Sequence, residues 1–366
     1  MAELEDLIRL NMTKGIGVIT YKRLLERFGS PKTILGVSKR ELREVEGVGE
    51  ELAERITQAS RNVDIDTELN LAREMGVEIV PYTSNNYPQN LKSIYDPPVV
   101  LYIKGAVKET DAIALAIVGS RRGTYYGQSQ AERMSASLTG MGFCIVSGLA
   151  RGIDAAAHRG ALKVGGRTIA VLGNGMSAIY PPEHKELAER IAENGALVSE
   201  LPMRTPPDGR NFPPRNRLIS GLSLGVIVVE ASLGSGSSIT AQWALEQGKE
   251  VFAVPGNIDS PYSKGTHKLI KEGAKLVECV DDIIEELGPL AETLRTPEGQ
   301  SIEDPRSLAL NEQEKKIFSI LSSNPMNIDE ITAVTGLSPS NVASTLMILE
   351  IKKLIKQLAG KRFVKA

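Results

Sequence analysis

The sequence predicts an α/β protein: an extended Rossmann-type core with a largely parallel sheet, preceded by a small all-α domain and followed by a winged helix. Three observations predict it. Nine short apolar runs alternate with amphipathic stretches between about residues 77 and 287. The first 65 residues contain only short helical patterns, and the C-terminal segment has the pattern of three helices and a β-hairpin.

The N-terminal segment contains two similar turns, each followed by a helical pattern, in KGIGVITYKRLLERF and VEGVGEELAERI. Gly47 and Gly49 in the second turn are typical of a helix-hairpin-helix, whose glycines let backbone N–H groups approach a DNA phosphate. Glu46, Glu50 and Glu51 would repel a phosphate at this place. A DNA-contacting hairpin and a purely structural hairpin therefore both remain open.

The central segment predicts strands that are buried on both sides. Continuous apolar strands separated by crossover helices indicate a largely parallel sheet with both faces covered. Ligands of such sheets bind at the carboxyl ends of the strands, near the topological switch point. The runs are VEIVPY, VVLYIK, AIALAIVG, FCIVSG, RTIAVLG, ALVSEL, GVIVVEA, EVFAVPG and KLVECV.

The C-terminal segment begins with GPLAETLRTPEGQSIEDPRSL, whose polar and proline-rich composition predicts a linker. Three helical patterns follow, and KLIKQLAGKRFVKA closes as a hairpin around Gly360, which completes a winged helix. We expect a helical domain at 1–65, the core at 66–288, a linker at 289–307 and the winged helix at 308–366.

Composition excludes several classes of protein. No apolar run is long enough to cross a bilayer, and MAELEDLIRL lacks the features of a secretory signal, so we expect a cytoplasmic protein without membrane contact. Cys144 and Cys279 lie in apolar runs that predict neighbouring buried strands, which favours inert thiols. His158, His184 and His267 are scattered, and we expect no metal site.

Charge is distributed unevenly along the chain. The net charge is -2, but from residue 121 to residue 217 there are 13 Lys plus Arg against 8 Asp plus Glu. Four predicted strands in or near this region end in loops of glycines, hydroxyls and basic residues: GSRRGTYYG, SGLARGID, GNGMSAIYPPEHK and SLGSGSSIT. Such loops direct backbone N–H groups and cations toward anions.

Two enzymatic interpretations of these loops are weak. GNGMSA fits a loose dinucleotide fingerprint, but Pro181 and Pro182 follow before a helix can start, and no Walker motif is present. Asp154 and His158 could form an acid/base couple on one helix. Without a nearby nucleophile, an Asp that accepts backbone hydrogen bonds and a His that packs are favoured. We expect neither a cofactor nor catalytic residues.

Glu200 and Glu230, which end two predicted strands, are expected to pair with arginines. In FPPRNRLISGLS, Arg215 and Arg217 flank Asn216 in the first turn of a helix. Cations there oppose the helix dipole, which predicts an acidic partner between them.

Together these segments resemble the DNA processing protein A family, DprA or Smf. The resemblance rests on ordered blocks along most of the chain: IVGSRRGTYYG, SGLARGIDAAAH, LGNGMSAIYPPEHK, SEL, FPPRNRLISGLS, VVEASLGSGSSITAQWAL, FAVPGN and SKGTHKLIKEGAKLV. The helical N-terminal segment and the winged helix also fit the family.

The resemblance implies a non-enzymatic protein that binds single-stranded DNA, forms homodimers and loads the RecA recombinase onto strands taken up in natural transformation. It also implies a phosphate site, at which Arg121 and Lys185 are expected to converge over the carboxyl ends of adjacent strands, and an interface for a second copy. The implied DNA ligands are Arg121 and Lys185, with Arg122, Arg215, Asn216 and Arg217 beside them and Gly119, Ser120, Ser147 and Gly148 as an anion cradle; the implied dimer contacts are His267, Leu269 and Ile270.

Two alternatives stay open at this point. One is a nucleotide-binding hydrolase that uses the same loops. The other is a regulator that binds duplex DNA through the winged helix, although the third helical pattern, SPSNVASTLMILEIKKL, has no basic residue before Lys352.

Overall fold

A computed structural model describes residues 2–291, 310–322, 325–351, 354–358 and 362–365. They fall into two compact units, one within 1–136 and 144–278 and the other within 137–143 and 279–366. The expected linker lies outside the described residues from residue 292 onward, and its first three residues are helical instead. Lys352 and Gly360 also lie outside the described residues.

The first unit is built on a sheet of nine described strands in the order β1-β2-β6-β5-β4-β3-β7-β8-β9. β1 and β2 join antiparallel at one edge, and the strands from β6 to β9 are parallel. The strands are β1 Val77–Pro81, β2 Val100–Gly105, β3 Ala114–Val118, β4 Cys144–Ser147, β5 Thr168–Val171, β6 Ala196–Ser199, β7 Gly225–Val228, β8 Glu250–Ala253 and β9 Lys275–Leu276. Each one falls within an apolar run that predicts it, except that β2 extends one residue past its run, to Gly105.

The central strands β3 to β7 are buried at every position, and since successive side chains of a strand point to opposite sides, both faces of the sheet are covered there. In β6, Val198 belongs to one apolar cluster and Leu197 to the other. In β2, Ile103 belongs to the same cluster as Val198, and Tyr102 belongs to the same cluster as Leu197. Two covered faces explain why these strands have continuous apolar sequences rather than alternating ones.

Six N-terminal helices belong to the same compact unit as the sheet. Leu24, Ile34 and Ile56 from these helices share an apolar cluster with Tyr102 and Leu197 of the sheet, so the helices cover one face. The helices are α1 Ala2–Met12, α2 Val18–Phe28, α3 Pro31–Gly36, α4 Lys39–Leu42, α5 Glu50–Asn62 and α6 Ile65–Glu74.

The helices between the strands set the switch point. β3 leads through its helix to β4 on one side, whereas β7 leads through its helix to β8 on the other, so the crevice opens between β3 and β7. These helices are α7 Gln89–Lys92, α8 Tyr125–Gly140, α9 Ile153–Lys163, α10 Lys185–Asn194, α11 Phe212–Gly221, α12 Gly236–Glu246 and α13 Lys264–Lys271.

The second unit contains α14 Val280–Ala291 and the C-terminal elements. Three helices pack around a cluster that includes Ile317, Ile331 and Leu346, and a three-stranded antiparallel sheet has the order β10-β12-β11. The elements are α15 Glu312–Ile320, β10 Met326–Asn327, α16 Ile328–Thr335, α17 Pro339–Ile351, β11 Ile355–Leu358 and β12 Arg362–Lys365. This is a winged helix, and the predicted fold class is confirmed.

The two cysteines differ from each other. Cys144 is buried in β4, whereas Cys279 is exposed and precedes α14, so the expectation of two buried neighbouring strands is wrong for Cys279. Both are free thiols. Among the described helices, none has the length and apolar character required to traverse a bilayer.

Candidate nucleic-acid interface

A cavity of about 530 Å³ opens at the switch point, at the carboxyl ends of β3 and β7. Its walls come from the loop after β3, the start of α11 and the loop that leads into α12. The charged residues that line it are Arg121, Arg122, Arg215 and Asp154. Three guanidinium groups against one carboxylate leave an excess of two positive charges, so the cavity attracts anions.

The loop after β3 is held so that its arginines face solvent. The backbone N–H of Ser120 donates to the carbonyl of Glu230 at 2.7 Å, and the Ser120 hydroxyl accepts from the N–H of Arg122 at 3.1 Å. Arg121 and Arg122 are both exposed at the mouth of the cavity. The tight turn fixes the backbone and leaves the two guanidinium groups available to a ligand.

The Glu230 side chain acts as a clamp on the loop before α8: it binds Thr124 rather than an arginine. Its carboxylate accepts hydrogen bonds from the Thr124 N–H at 2.7 Å and from the Thr124 hydroxyl at 2.6 Å, directly before α8. The expectation that Glu230 pairs with an arginine is therefore wrong. A carboxylate at this helix start satisfies a free N–H group and interacts favourably with the positive end of the helix dipole.

Arg215 is buried, with 5% of its surface exposed, and it forms the inner wall of the cavity. Its Nη1 donates to the carbonyls of Gly148, at 3.1 Å, and Val171, and its Nε donates to Asn216 Oδ1 at 3.3 Å. Burial lowers the pKa of the Arg215 guanidinium to about 10, so the group is still charged at neutral pH.

The two guanidinium groups of Arg121 and Arg215 lie against the ring of Phe212. The distances from their Cζ atoms to the ring centroid are 5.3 Å and 5.8 Å, and the ring of Tyr180 lies 5.8 Å from that of Phe212. The aromatic ring holds the two cations near each other without neutralising either of them.

Asp154 and His158 have the structural roles favoured from the sequence. Asp154 Oδ2 accepts from the N–H groups of Gly148 at 3.2 Å and Ala150 at 3.4 Å, and burial raises its pKa. His158 is buried with its Nδ1 2.7 Å from the Thr168 hydroxyl, and burial lowers its pKa to about 3. The imidazole is therefore neutral at pH 7 and committed to packing.

Arg217 does not reach the cavity, which corrects the sequence prediction. Its Nε lies 2.9 Å from Asp96 Oδ2 and its Nη2 lies 2.5 Å from Glu200 Oε2, and the side chain is 5% exposed. The acidic partner that this helix start requires is thus supplied by the protein itself. The prediction that Glu200 pairs with an arginine is confirmed.

The other residues predicted to bind DNA fall into two groups: some line the cavity, and others are buried in the protein beside it. Asn216 lines the cavity and its Nδ2 donates to the Gly236 carbonyl at 3.1 Å. Ser147 is buried and its hydroxyl donates to the Ile117 carbonyl at 2.6 Å, so its side chain does not reach a ligand. Gly119 and Ser120 line the cavity.

Gly148 faces a small neighbouring hollow lined also by Arg121 and Tyr180. A Cβ atom at position 148 would lie 2.8 Å from Arg215 Nη2 and 2.8 Å from Asp154 Oδ2, so a larger residue would displace both side chains. Glycine is required at position 148 because the side chains of Arg215 and Asp154 lie too close for a Cβ atom.

Lys185 is exposed at the start of α10 and lines a separate cavity of about 350 Å³, together with Lys104, Met176 and Ile179. The sequence predicts that Arg121 and Lys185 follow adjacent strands. In the sheet, β4 separates β3 from β5, so that expectation is wrong and the two side chains do not share a cavity.

The loop GNGMSA fits a dinucleotide-binding motif in sequence, but its glycines do not have the surroundings that the motif requires. A Cβ atom at Gly175 would lie 2.0 Å from the Pro202 carbonyl oxygen, and one at Gly173 would lie 2.6 Å from the Phe212 ring. Both glycines are covered by the protein's own residues, so no space is left at them for a pyrophosphate.

The loop after β7 contributes cavity residues that the sequence prediction omits. Ser232, Ser235, Ser237 and Thr240 line the cavity together with Arg121. The glycines and hydroxyls of SLGSGSSIT are the signal that could have identified them. They indicate an anion-binding loop, but the residues that face the cavity depend on how α12 packs.

The predicted dimer contacts lie on α13. His267 Nε2 is 3.0 Å from the Gly256 carbonyl oxygen, Leu269 packs partly against the core of the first unit, and Ile270 is partly exposed. Their role between two copies stays a prediction. Among the described residues no group of three or more His, Cys, Asp or Glu could hold a metal ion.

Comparisons with known proteins bear on all three parts of the chain. Residues 78–288 match DNA recombination-mediator protein A, residues 302–361 match the DprA winged helix domain, and residues 4–62 match a SAM-like helix-hairpin-helix tandem. A DNA processing protein DprA from Bacillus subtilis is 48% identical over 216 residues, which are 59% of this chain and 73% of that protein.

Two solved structures are also similar. DNA processing protein A from Streptococcus pneumoniae has a TM-score of 0.67 and 35% identity over 77% of this chain and 97% of that one. DNA processing protein A from Helicobacter pylori, described for its single-stranded DNA binding mode, has a TM-score of 0.52 and 32% identity over 58% of this chain and 95% of that one.

Proposed function

This chain belongs to the DNA recombination-mediator protein A family, and we propose that it binds single-stranded DNA at the crevice between β3 and β7. The observation that carries the proposal is the charge of the cavity: Arg121, Arg122 and Arg215 line it against the single carboxylate of Asp154. The relative from Helicobacter pylori, described for its single-stranded DNA binding mode, supports the same ligand class.

The arginines divide into two roles in this proposal. Arg121 and Arg122, exposed at the mouth, bind phosphates of the strand and release counterions when they do so. Arg215 provides a buried positive charge on the inner wall and also fixes the loop at Gly148. Lys185, on a separate surface, contacts the strand further along its backbone.

We also propose that the protein acts without catalysis. Asp154 is engaged by two backbone N–H groups, and His158 is neutral and buried. These contacts argue against the acid/base couple that a nucleotide hydrolase would need. The described helix α17, Pro339–Ile351, contains no Lys or Arg, which argues against groove reading by the winged helix.

The cellular role that we propose is the family's: a cytoplasmic homodimer, paired through His267, Leu269 and Ile270, that loads RecA onto single strands during transformation. A domain division at 1–65, 66–288 and 308–366 is part of the proposal, and the three family matches support it.

One titration tests the central proposal. Labelled single-stranded and duplex oligonucleotides of equal length, mononucleotides and NAD are titrated at one salt concentration, because affinities at different salts cannot be compared. We expect the single strand to bind most tightly, with little dependence on sequence. Tight binding of a nucleotide with weak binding of the single strand would refute the proposal.

A further inference from the structure

The start of α12 forms part of the wall of the arginine-lined cavity, and its backbone is open toward a ligand. Ser235 precedes the helix with an extended backbone, and its side chain does not cap the helix. Its hydroxyl instead lies 2.8 Å from the Ser237 hydroxyl. Since the first N–H groups of a helix have no partner within the helix, those of Gly236 and Ser237 are available to an anion.

A second observation points to the same ligand. Arg215 is 5% exposed, and within the described residues its Nη2 donates no hydrogen bond, although its Nη1 and Nε are both engaged. The side chain lines the same cavity as Ser235 and Gly236. Because this donor makes no hydrogen bond to the described residues, it can donate to an acceptor from a ligand, and a charge-assisted hydrogen bond of this kind is among the stronger ones.

The charge of the cavity selects among phosphate groups. An internal phosphodiester of DNA carries one negative charge, whereas a terminal phosphate monoester carries about 1.5 to 2 at pH 7 and presents three oxygens as acceptors. The excess of two positive charges from Arg121, Arg122, Arg215 and Asp154 matches the monoester. Hydroxyls of Ser232 and Thr240 add polar groups to the wall.

We propose that this cavity receives the terminal phosphate monoester of a DNA strand, held between the first turn of α12 and Arg215, so that the protein recognises phosphorylated strand ends. The inference rests on the proposed binding of single strands and adds a preference for their ends. Arg121 and Arg122, at the mouth, supply the excess positive charge that this terminal phosphate neutralises.

The first test compares one thymidine oligonucleotide in four forms: 5′-phosphorylated, 3′-phosphorylated, without terminal phosphate, and circular. One phosphorylated linear form should bind about tenfold more tightly than the unphosphorylated one, the effect of a charge at a partly buried helix N-terminus. Comparison of the 5′-phosphorylated and 3′-phosphorylated oligonucleotides shows which end of the strand the cavity receives. Thymidine monophosphate should compete with that form, whereas thymidine should not.

The second test uses a matched pair of variants at the start of α12. Ser235→Asp places a carboxylate at a helix start, where it is a favourable cap, and should keep or raise the melting temperature. The same carboxylate repels a phosphate, so the preference for the phosphorylated end should disappear. Ser235→Ala adds neither a charge nor a side chain that competes for the helix N–H groups, and because the Ser235 side chain does not cap the helix, it should retain both the melting temperature and the preference.

The outcomes separate this inference from the proposed function. If all four oligonucleotides bind tightly and equally, the end preference is refuted while single-strand binding stands. If a preference exists but Ser235→Asp leaves it unchanged, its placement at α12 is refuted. If none of the four binds, the proposed function itself fails. Competition by thymidine monophosphate on the wild-type protein tests the site without relying on a variant.

Discussion

Replacing Arg121 and Arg217 by alanine should give opposite results, because Arg121 is exposed at the cavity whereas Arg217 is buried between Asp96 and Glu200. Arg217→Ala leaves two partly buried carboxylates without their buried cation, which should lower the free energy of unfolding by about 3–5 kcal/mol. The deficit should shrink as the pH is lowered, because burial raises the pKa of both Asp96 and Glu200 and each carboxyl becomes neutral on protonation.

Arg121→Ala should leave folding almost unchanged, because an exposed charge contributes little to stability. DNA binding should weaken similarly for all base compositions. The slope of log affinity against log salt should fall by about 0.7, the contribution of one phosphate contact with a single strand. Urea unfolding measures the stability of both variants, and fluorescence anisotropy at several salt concentrations measures their DNA binding.

Two results would refute this reasoning. An Arg121→Ala protein with the wild-type salt slope and affinity would show that the strand does not pass this loop. An Arg217→Ala protein that unfolds at the wild-type urea concentration but loses a phosphate contact would show that Arg217 is a ligand and that its two ion pairs are dispensable.

Glu230, His158 and α13 provide three further tests. Glu230→Ala removes both hydrogen bonds to Thr124 and should cost about 1–2 kcal/mol of stability, as loss of a helix cap does; an unchanged urea midpoint would contradict the clamp. The pKa of His158 is about 3 in the folded protein against an ordinary value of 6.5, so the unfolded state binds a proton that the folded state does not. Stability should therefore fall as the pH drops below about 6.5, by at most about 1.4 kcal/mol per pH unit. His158→Gln should flatten this dependence in urea titrations, and an unchanged dependence would assign it to other groups. Leu269→Arg would disturb packing in the first unit as well as any interface, so Ile270→Arg is the sharper test of the dimer: it should sediment as a folded monomer, and a persistent dimer would exclude α13.

Local pattern predicts the strands well because a strand buried on both faces needs apolar residues at nearly every position. The predicted runs and the observed strands β3 to β8 coincide for that reason, whereas the run KLVECV at the sheet edge contains only the short, exposed β9. The glycines and hydroxyls of the loops after β3 and β7 predict anion-binding loops. The role of Asp154 is also predictable, because its place at the start of a helix limits what its carboxylate can accept.

The same reasoning fails where partners are distant in the chain. Arg217 meets Asp96 and Glu200 from other elements, and Glu230 meets Thr124 rather than an arginine. Neither pairing leaves a local signal. A helix start rich in cations does predict an anion, but the pattern does not tell whether the protein or its ligand supplies it.

The sequence by itself therefore determined which segments are strands, which loops carry groups that can bind anions and which family the chain resembles. It could do so because burial of a strand requires consecutive apolar residues, and tight loops require glycines, so both are visible in residues that are neighbours in the chain. Only the tertiary structure decided which of those groups are free. The strand order inserts β4 between the loops of Arg121 and Lys185, and the packing of α11 turns Arg215 toward the cavity while Arg217 is neutralised inside. The physical reason is that a charge stays available for a ligand only when no buried carboxylate from another element reaches it first, and that depends on contacts between residues far apart in the chain.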